Sequence, residues 1–126
     1  MIFFVLLLGI LLRLLSLDQS LWLDEAAQVI ESARPFSQQL DIKGDFWPPL
    51  YHLMLHFWIY VDRSETWLRL LSVSLGVVTI YCFYKLIISW ISPRRSLIVC
   101  VLLAISPFHV WYSQEVRPYA LSALLG

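Results

Sequence analysis

Four charged side chains, in two short clusters, have types and spacings suited to chemistry. Asp24 and Glu25 are adjacent carboxylates that follow a long apolar run. A carboxylate held near a membrane surface can act as a general base or as a ligand of a divalent cation. Glu115 and Arg117 are separated by one residue. The carboxylate suits a metal ion, and the planar guanidinium suits a phosphate because it donates bidentate hydrogen bonds.

Each cluster also has a structural interpretation. Asp24 is a residue type that caps helix N-termini, and Glu25 in the following first turn favours the helix dipole. The second cluster lies among aromatic residues. Its charges could therefore be snorkelling side chains beside interfacial anchors. The clusters alone leave both interpretations open.

The elements that must position these clusters are membrane helices. The chain is 60% hydrophobic and 14% charged, whereas soluble domains are about 25% charged. We expect an all-α, polytopic transmembrane bundle of three full membrane helices and the start of a fourth. Their predicted ranges are about 2–17, 67–91, 97–112 and 120–126. The first carries Arg13, which either snorkels or points into the bundle, and it lacks the features of a cleaved signal peptide.

Charge distribution orients this bundle. The segment 18–66 carries eight acidic and three basic residues, whereas the short loop 92–96 contains Arg94 and Arg95 with no acid. The positive-inside rule therefore places 92–96 in the cytoplasm. Counting membrane crossings then puts 18–66 and 113–119, with both charged clusters, on the same non-cytoplasmic face. We expect an integral multi-pass protein of the cell membrane.

The first external segment is expected to contain interfacial helices, at about 24–31 and 49–61. The thirteen residues from Pro49 to Val61 are too few to cross a bilayer, which needs about 20. His52 and His56 in this segment have the four-residue spacing that zinc sites use. No third ligand follows in a zinc-hydrolase pattern, so we expect core or interface histidines.

The order of these motifs resembles the N-terminal part of a known family. The motifs are L-W-x-D-E at 21–25, P-P-L-Y at 48–51, R-R at 94–95 and S-P-F-H-x-W-Y-S-Q-E-x-R-x-Y-A-L from 106 to 121. Together they resemble the polytopic GT-C glycosyltransferases of the protein O-mannosyltransferase and aminoarabinose-transferase type. The resemblance covers essentially the whole chain.

The resemblance implies transfer of a sugar, with inversion, from a polyprenyl-phosphate carrier to an acceptor on the outer face. It implies that Asp24 is the catalytic carboxylate with Glu25 beside it, and that Glu115 is a second acid, at a metal or acceptor site. The substrate- and phosphate-binding positions that we expect are Arg117, Gln114, Tyr119 and Tyr51. A divalent metal, held by Glu115 and Asp24, is a possible cofactor that the sequence does not require.

Two departures from the family pattern stand out. Trp47 occupies the position before the two prolines where relatives often have histidine. Relatives are also several hundred residues long, and this chain stops inside an apolar run, so we expect that most of the bundle is missing. Membrane lipids are expected partners, and nucleic acid is not. The alternatives are a small non-catalytic membrane subunit or assembly protein, and, with less support, a transporter that uses Asp24 and Glu115 as ion sites.

Overall fold

The computed structural model describes residues 1–39 and 49–126, and within them the chain is helical with no strand. Trp47 and Pro48 lie outside the described residues. The helices are α1 (Ile2–Leu14), α2 (Leu23–Ser32), α3 (Leu50–Trp58), α4 (Glu65–Ile87), α5 (Pro93–Ile105), α6 (Pro107–Tyr112) and α7 (Tyr119–Leu125), with a 3₁₀ turn at Phe36–Gln38. The all-helical class predicted from the sequence is confirmed for this part of the chain.

Several helices begin at recognisable signals. Ser64 caps α4 through its side chain, which accepts a hydrogen bond from the Trp67 backbone N–H. Pro93 and Pro107 open α5 and α6, where a missing N–H costs no helical hydrogen bond. At α2 the cap is Trp22, and Asp24 lies in the first turn. The expectation that Asp24 itself caps this helix is therefore wrong, although its charge still favours the helix dipole.

Helix α4 has 23 residues and, among the described helices, is the one long and apolar enough to cross a membrane. Helices α1 and α5 have 13 residues each, which corresponds to about 20 Å against a hydrocarbon core of about 30 Å. The segment predicted as one helix over 97–112 is divided between α5 and α6 at Ser106, immediately before Pro107.

Helix α4 is the centre of the packing, because α1, α3, α5 and α7 all contact it. Its first half forms one apolar core with α3, α7 and the residues before α7, and its second half forms another with α1 and α5. The first core contains Tyr51, Leu55, Ile59, Leu68, Leu71, Leu75, Val116, Ala120 and Leu121. The second contains Val5, Ile80, Cys100 and Ala104.

A buried arginine lies where α1, α5 and α6 meet. Arg13 is fully buried and donates hydrogen bonds to the carbonyl oxygens of Gly9, at 2.9 Å, and Ala104, at 3.2 Å. Its Nη2 also donates to Nδ1 of His109. Of the two positions expected for Arg13, the structure has the one inside the bundle. Gly76 of α4 leaves the space for this contact, since a Cβ there would lie 3.3 Å from Arg13 Nε.

Candidate functional site

The centre of the site is an ion pair between Glu25 of α2 and Arg69 of α4. Arg69 Nη2 lies 2.7 Å from Glu25 Oε2, and Arg69 Nε lies 3.1 Å from Glu25 Oε1. Glu25 is 1% exposed and Arg69 is 5% exposed. Two parallel hydrogen bonds of this kind fix the orientation of both side chains. Removing either group would leave the other as an unpaired charge in the interior, at a large cost in stability.

All five N–H donors of Arg69 are used. Two go to Glu25, and three go to backbone carbonyl oxygens of the segment that joins α1 to α2. Those three acceptors are Leu17 at 2.9 Å, Gln19 at 2.5 Å and Ser20 at 3.3 Å. Arg69 therefore has no donor left with which to bind a phosphate.

Glu25 is equally saturated. Besides Arg69, its Oε1 accepts from the Val116 backbone N–H at 2.8 Å, and its Oε2 accepts from the Trp22 N–H at 3.3 Å. Four hydrogen bonds occupy the acceptor positions of one carboxylate. The pair thus joins α2 and α4 to two connecting segments, one before α2 and one before α7. The two charged clusters, which the sequence predicts on one face, meet through the hydrogen bond from the Val116 N–H to Glu25.

A cavity of about 940 Å³ opens beside this ion pair, between the C-terminal end of α1, α6 and the segments that follow each of them. Its apolar lining residues are Leu12, Leu15, Ile105, Pro107 and Val110, with the aromatic residues Trp22, Trp111, Tyr112 and Tyr119. Its polar lining residues are Ser16, Gln19, Ser20, Glu25, Arg69, Gln114 and Glu115. The lining therefore offers apolar contacts for hydrocarbon as well as hydrogen-bonding groups for a polar ligand.

Glu115 is the acid of this cavity that remains available. Its Oε1 accepts a hydrogen bond from Trp111 Nε1 at 2.6 Å, and its other oxygen has no hydrogen bond with any described residue. Burial raises the pKa of Glu115 above its ordinary value of 4.5, and the nearby negative charge of Glu25 raises it further. The Trp111 hydrogen bond and the charges of Arg117 and Arg69 oppose that rise.

Asp24 and Arg117 lie outside the cavity lining. Asp24 is partly exposed, and its side chain makes no hydrogen bond or ion pair with the described residues. Arg117 is also partly exposed, and its guanidinium lies over the Tyr119 ring, with Cζ 5.7 Å from the ring centroid. No hydrogen bond joins Arg117 to another described residue, and its Nε is buried without a partner. In contrast to Arg69, Arg117 has N–H donors that no described residue uses.

The remaining predicted binding residues take different positions. Gln114 lines the cavity, but its Nε2 donates to carbonyl oxygens at the end of α1, the shortest bond being 2.6 Å to Leu15. Tyr119 also lines the cavity, and its ring packs against that of Tyr112 at an interplanar angle of 54°, with centroids 4.7 Å apart. Tyr51 is fully buried in the core, where its hydroxyl lies 2.8 Å from Ser72 Oγ. Burial raises the pKa of Tyr51 well above its usual range.

The two histidines of α3 face α2. Nδ1 of His52 lies 2.8 Å from Gln28 Nε2, and Nδ1 of His56 lies 2.8 Å from the Ser32 carbonyl oxygen. Both histidines are buried, as expected for core histidines. Among the residues of the described ranges, no three His, Cys, Asp or Glu side chains form a metal-binding group.

The predicted metal ligands do not form one site in the cavity. Glu115 lines it and Asp24 does not. The divalent metal stays a prediction from the resemblance, and no step proposed below passes through it.

Arg69 is the site residue that sequence motifs miss. It lies near the start of an apolar helix long enough to span a membrane. A charged residue in such a position needs a partner, and that rule was the available signal. No signal in the sequence identifies that partner, because Glu25 is 44 positions away in the chain.

No family model, no curated protein and no solved structure matches this chain.

Proposed function

We propose that the chain belongs to a multi-pass membrane glycosyltransferase that moves a sugar from a polyprenyl-phosphate carrier to an acceptor hydroxyl on the non-cytoplasmic face of the cell membrane. The observation that supports this most is the cavity of about 940 Å³, whose lining combines apolar and aromatic side chains with polar ones. A carrier lipid needs both kinds of contact, since it has a hydrocarbon tail and a sugar-phosphate head. The motif order from 21–25 to 106–121 supports the same function by resemblance.

The membrane arrangement in this proposal has α1, α4 and α5 alternating in direction. Contacts of side chains support it: a Cβ on Gly9 of α1 would meet Ile80, whereas Arg13, one turn further along α1, lies beside Gly76, one turn earlier in α4. The two helices are therefore antiparallel. In this arrangement Arg94 and Arg95 lie at the cytoplasmic end, and the ion pair of Glu25 with Arg69 lies at the other end.

The proposed reaction is a single inverting displacement. The acceptor hydroxyl gives its proton to a carboxylate, and its oxygen attacks the anomeric carbon of the sugar. The bond between that carbon and the carrier phosphate oxygen breaks, and the phosphate leaves with the electron pair. Products are the glycosylated acceptor, the carrier phosphate and the protonated carboxylic acid.

Asp24 is the carboxylate that we propose for the proton. The resemblance assigns it this role, and it makes no hydrogen bond or ion pair with the described residues. Its neighbour Glu25 is saturated, so it cannot accept a further proton without breaking an existing bond. Arg117, whose donors are unused by the described residues, is proposed to stabilise the leaving phosphate.

The test is sugar transfer from a labelled polyprenyl-phosphate sugar by the full-length protein to which this proposal assigns the chain, reconstituted in lipid nanodiscs. We expect Asp24→Asn to lower kcat by about 100-fold or more, the usual contribution of a general base. Glu31→Gln is the matched control, since Glu31 lies on the same helix and pairs only loosely with Arg34, at 3.8 Å. Transfer by Asp24→Asn at the wild-type rate would remove the catalytic assignment.

The second candidate function is a non-catalytic membrane subunit or assembly protein. Saturation of both Glu25 and Arg69 favours it, because a purely structural ion pair needs no substrate. Binding of prenyl phosphates without any transfer, by that full-length protein in a well-folded state, would support this candidate over the enzyme.

A further inference from the structure

Trp111 and Glu115 both line the cavity and are joined by a hydrogen bond. We propose that they form a saccharide subsite in which Trp111 supplies the stacking face and Glu115 accepts hydrogen bonds from sugar hydroxyls. This inference rests on the proposed function and names the residues that hold one part of the donor, its sugar ring.

The geometry of the two residues carries the inference. Trp111 Nε1 donates to Glu115 Oε1 at 2.6 Å, from one turn earlier in the chain. This bond fixes the indole plane relative to the carboxylate and leaves the second carboxylate oxygen open. Trp111 lines the cavity and is 64% exposed. The face of an indole ring is electron-rich and attracts the weakly positive C–H groups of a pyranose.

The surrounding groups favour a neutral, hydroxyl-rich ligand. Ser16, Gln19 and Ser20 line the same cavity. Their side chains are exposed and form no hydrogen bonds with other described residues. They supply neutral donors and acceptors of the kind that sugar hydroxyls require.

Among the described residues that line the cavity, none offers a free cation for a phosphate. Arg69, the basic residue of the cavity lining, has every donor occupied by Glu25 and by backbone carbonyls. Glu115 would repel a phosphate at close range. The phosphate, which is bonded directly to the sugar, therefore needs a cationic partner from outside the lining, and Arg117 lies there.

Interfacial anchoring is the competing role of an exposed tryptophan. An anchor directs its indole N–H to water and lipid head groups. The Trp111 N–H instead donates a hydrogen bond to Glu115, which lines the cavity. Trp90, which is also highly exposed and lies beyond the C-terminal end of α4, is therefore a suitable control for anchoring alone.

The experiment measures binding to the full chain in nanodiscs with three probes. They are a short prenyl phosphate, the same prenyl phosphate carrying mannose or glucose, and a water-soluble methyl glycoside of the same sugar. The variants are Trp111→Leu, Trp111→Phe, Glu115→Gln and the control Trp90→Leu. Circular dichroism and thermal unfolding establish that each variant is folded.

We expect Trp111→Leu and Glu115→Gln to weaken binding of the sugar-bearing probes by about tenfold, as loss of one aromatic contact or one charge-assisted hydrogen bond does. Trp111→Phe should retain part of the affinity because it keeps an aromatic face. Binding of the bare prenyl phosphate should change less than about twofold. Trp90→Leu should leave all probes unaffected.

Three outcomes separate this inference from the proposed function. Equal loss for the bare and sugar-bearing prenyl phosphates, or no loss for either, overturns the saccharide subsite while the carrier-binding function stands. Binding of the methyl glycoside alone, with the expected effects of the Trp111 and Glu115 variants, overturns the carrier and keeps the subsite. Binding of none of the probes overturns both.

Discussion

The carboxylate of Glu25 and the guanidinium of Arg69 face each other through two parallel hydrogen bonds, of 3.1 and 2.7 Å, in an interior that excludes almost all water. Removing either partner leaves the other charge buried and unpaired. We expect Glu25→Gln and Arg69→Met each to lower the free energy of unfolding by about 3–5 kcal/mol. Reversible unfolding in mixed detergent micelles measures this change.

The double variant and a surface pair supply the controls for this prediction. The loss for Glu25→Gln with Arg69→Met should be smaller than the sum of the two single losses, because the residues interact directly. Arg34→Met should cost less than about 1 kcal/mol, since its pair with Glu31 is partly exposed and 3.8 Å long. A loss of unfolding free energy for Glu25→Gln as small as that for Arg34→Met would contradict the central role of the buried pair.

Glu115 should give the stability of the protein a specific pH dependence. Its pKa in the folded protein lies above 4.5, chiefly because of burial, so the folded state holds this proton more tightly than the unfolded state. The stability from this group is therefore complete below pH 4.5 and is lost as pH rises through the raised pKa. As pH rises from 4.5 through the raised pKa, the unfolding free energy of wild type should fall relative to that of Glu115→Gln. A difference that is constant with pH would exclude the raised pKa.

Gly76 is required for the approach of α4 to the end of α6. A Cβ at this position would lie 2.2 Å from Ser113 Oγ and 2.7 Å from Ser113 Cβ. Gly76→Ala should therefore destabilise the protein by about 1–3 kcal/mol, despite the better helix propensity of alanine. Adding Ser113→Gly should recover most of the loss, because it removes both contacts. Failure of that second change to help would show that Gly76 is needed for another reason.

Tyr51 is expected to stabilise the core through its buried hydrogen bond. Its hydroxyl lies 2.8 Å from Ser72 Oγ, and both residues are fully buried. Tyr51→Phe should lower stability by about 1–3 kcal/mol, because it leaves the serine hydroxyl without its partner. Tyr51→Phe with Ser72→Ala should recover part of the loss. The resemblance predicts instead that Tyr51 contacts the substrate, and transfer activity per folded molecule separates the two roles. If Tyr51 contacts the substrate, Tyr51→Phe should lower that activity; if it only stabilises the core, the activity should be unchanged.

Much of the helical framework follows from local signals. The apolar runs predict α1, α4 and α5, and the prolines at 93 and 107 mark where α5 and α6 begin. These signals are local because a helix closes its own backbone hydrogen bonds within a few residues. The division of the third predicted span at Ser106 was missed, although Pro107 made that break foreseeable. The helix cap at Trp22 was also missed, because Asp24 is a much commoner capping residue.

The sequence by itself determined that two charged clusters follow two apolar helices, and that Arg13 lies inside the first helix, either snorkelling or pointing into the bundle. Only the tertiary structure decided which acid is paired and which is available. Asp24 and Glu25 are adjacent, but successive residues on a helix point about 100° apart, so one is buried against Arg69 and the other is not. Gln114 is likewise committed to the end of α1, about 100 positions earlier in the chain. Such pairings depend on how the helices pack, and no local pattern of residues encodes them.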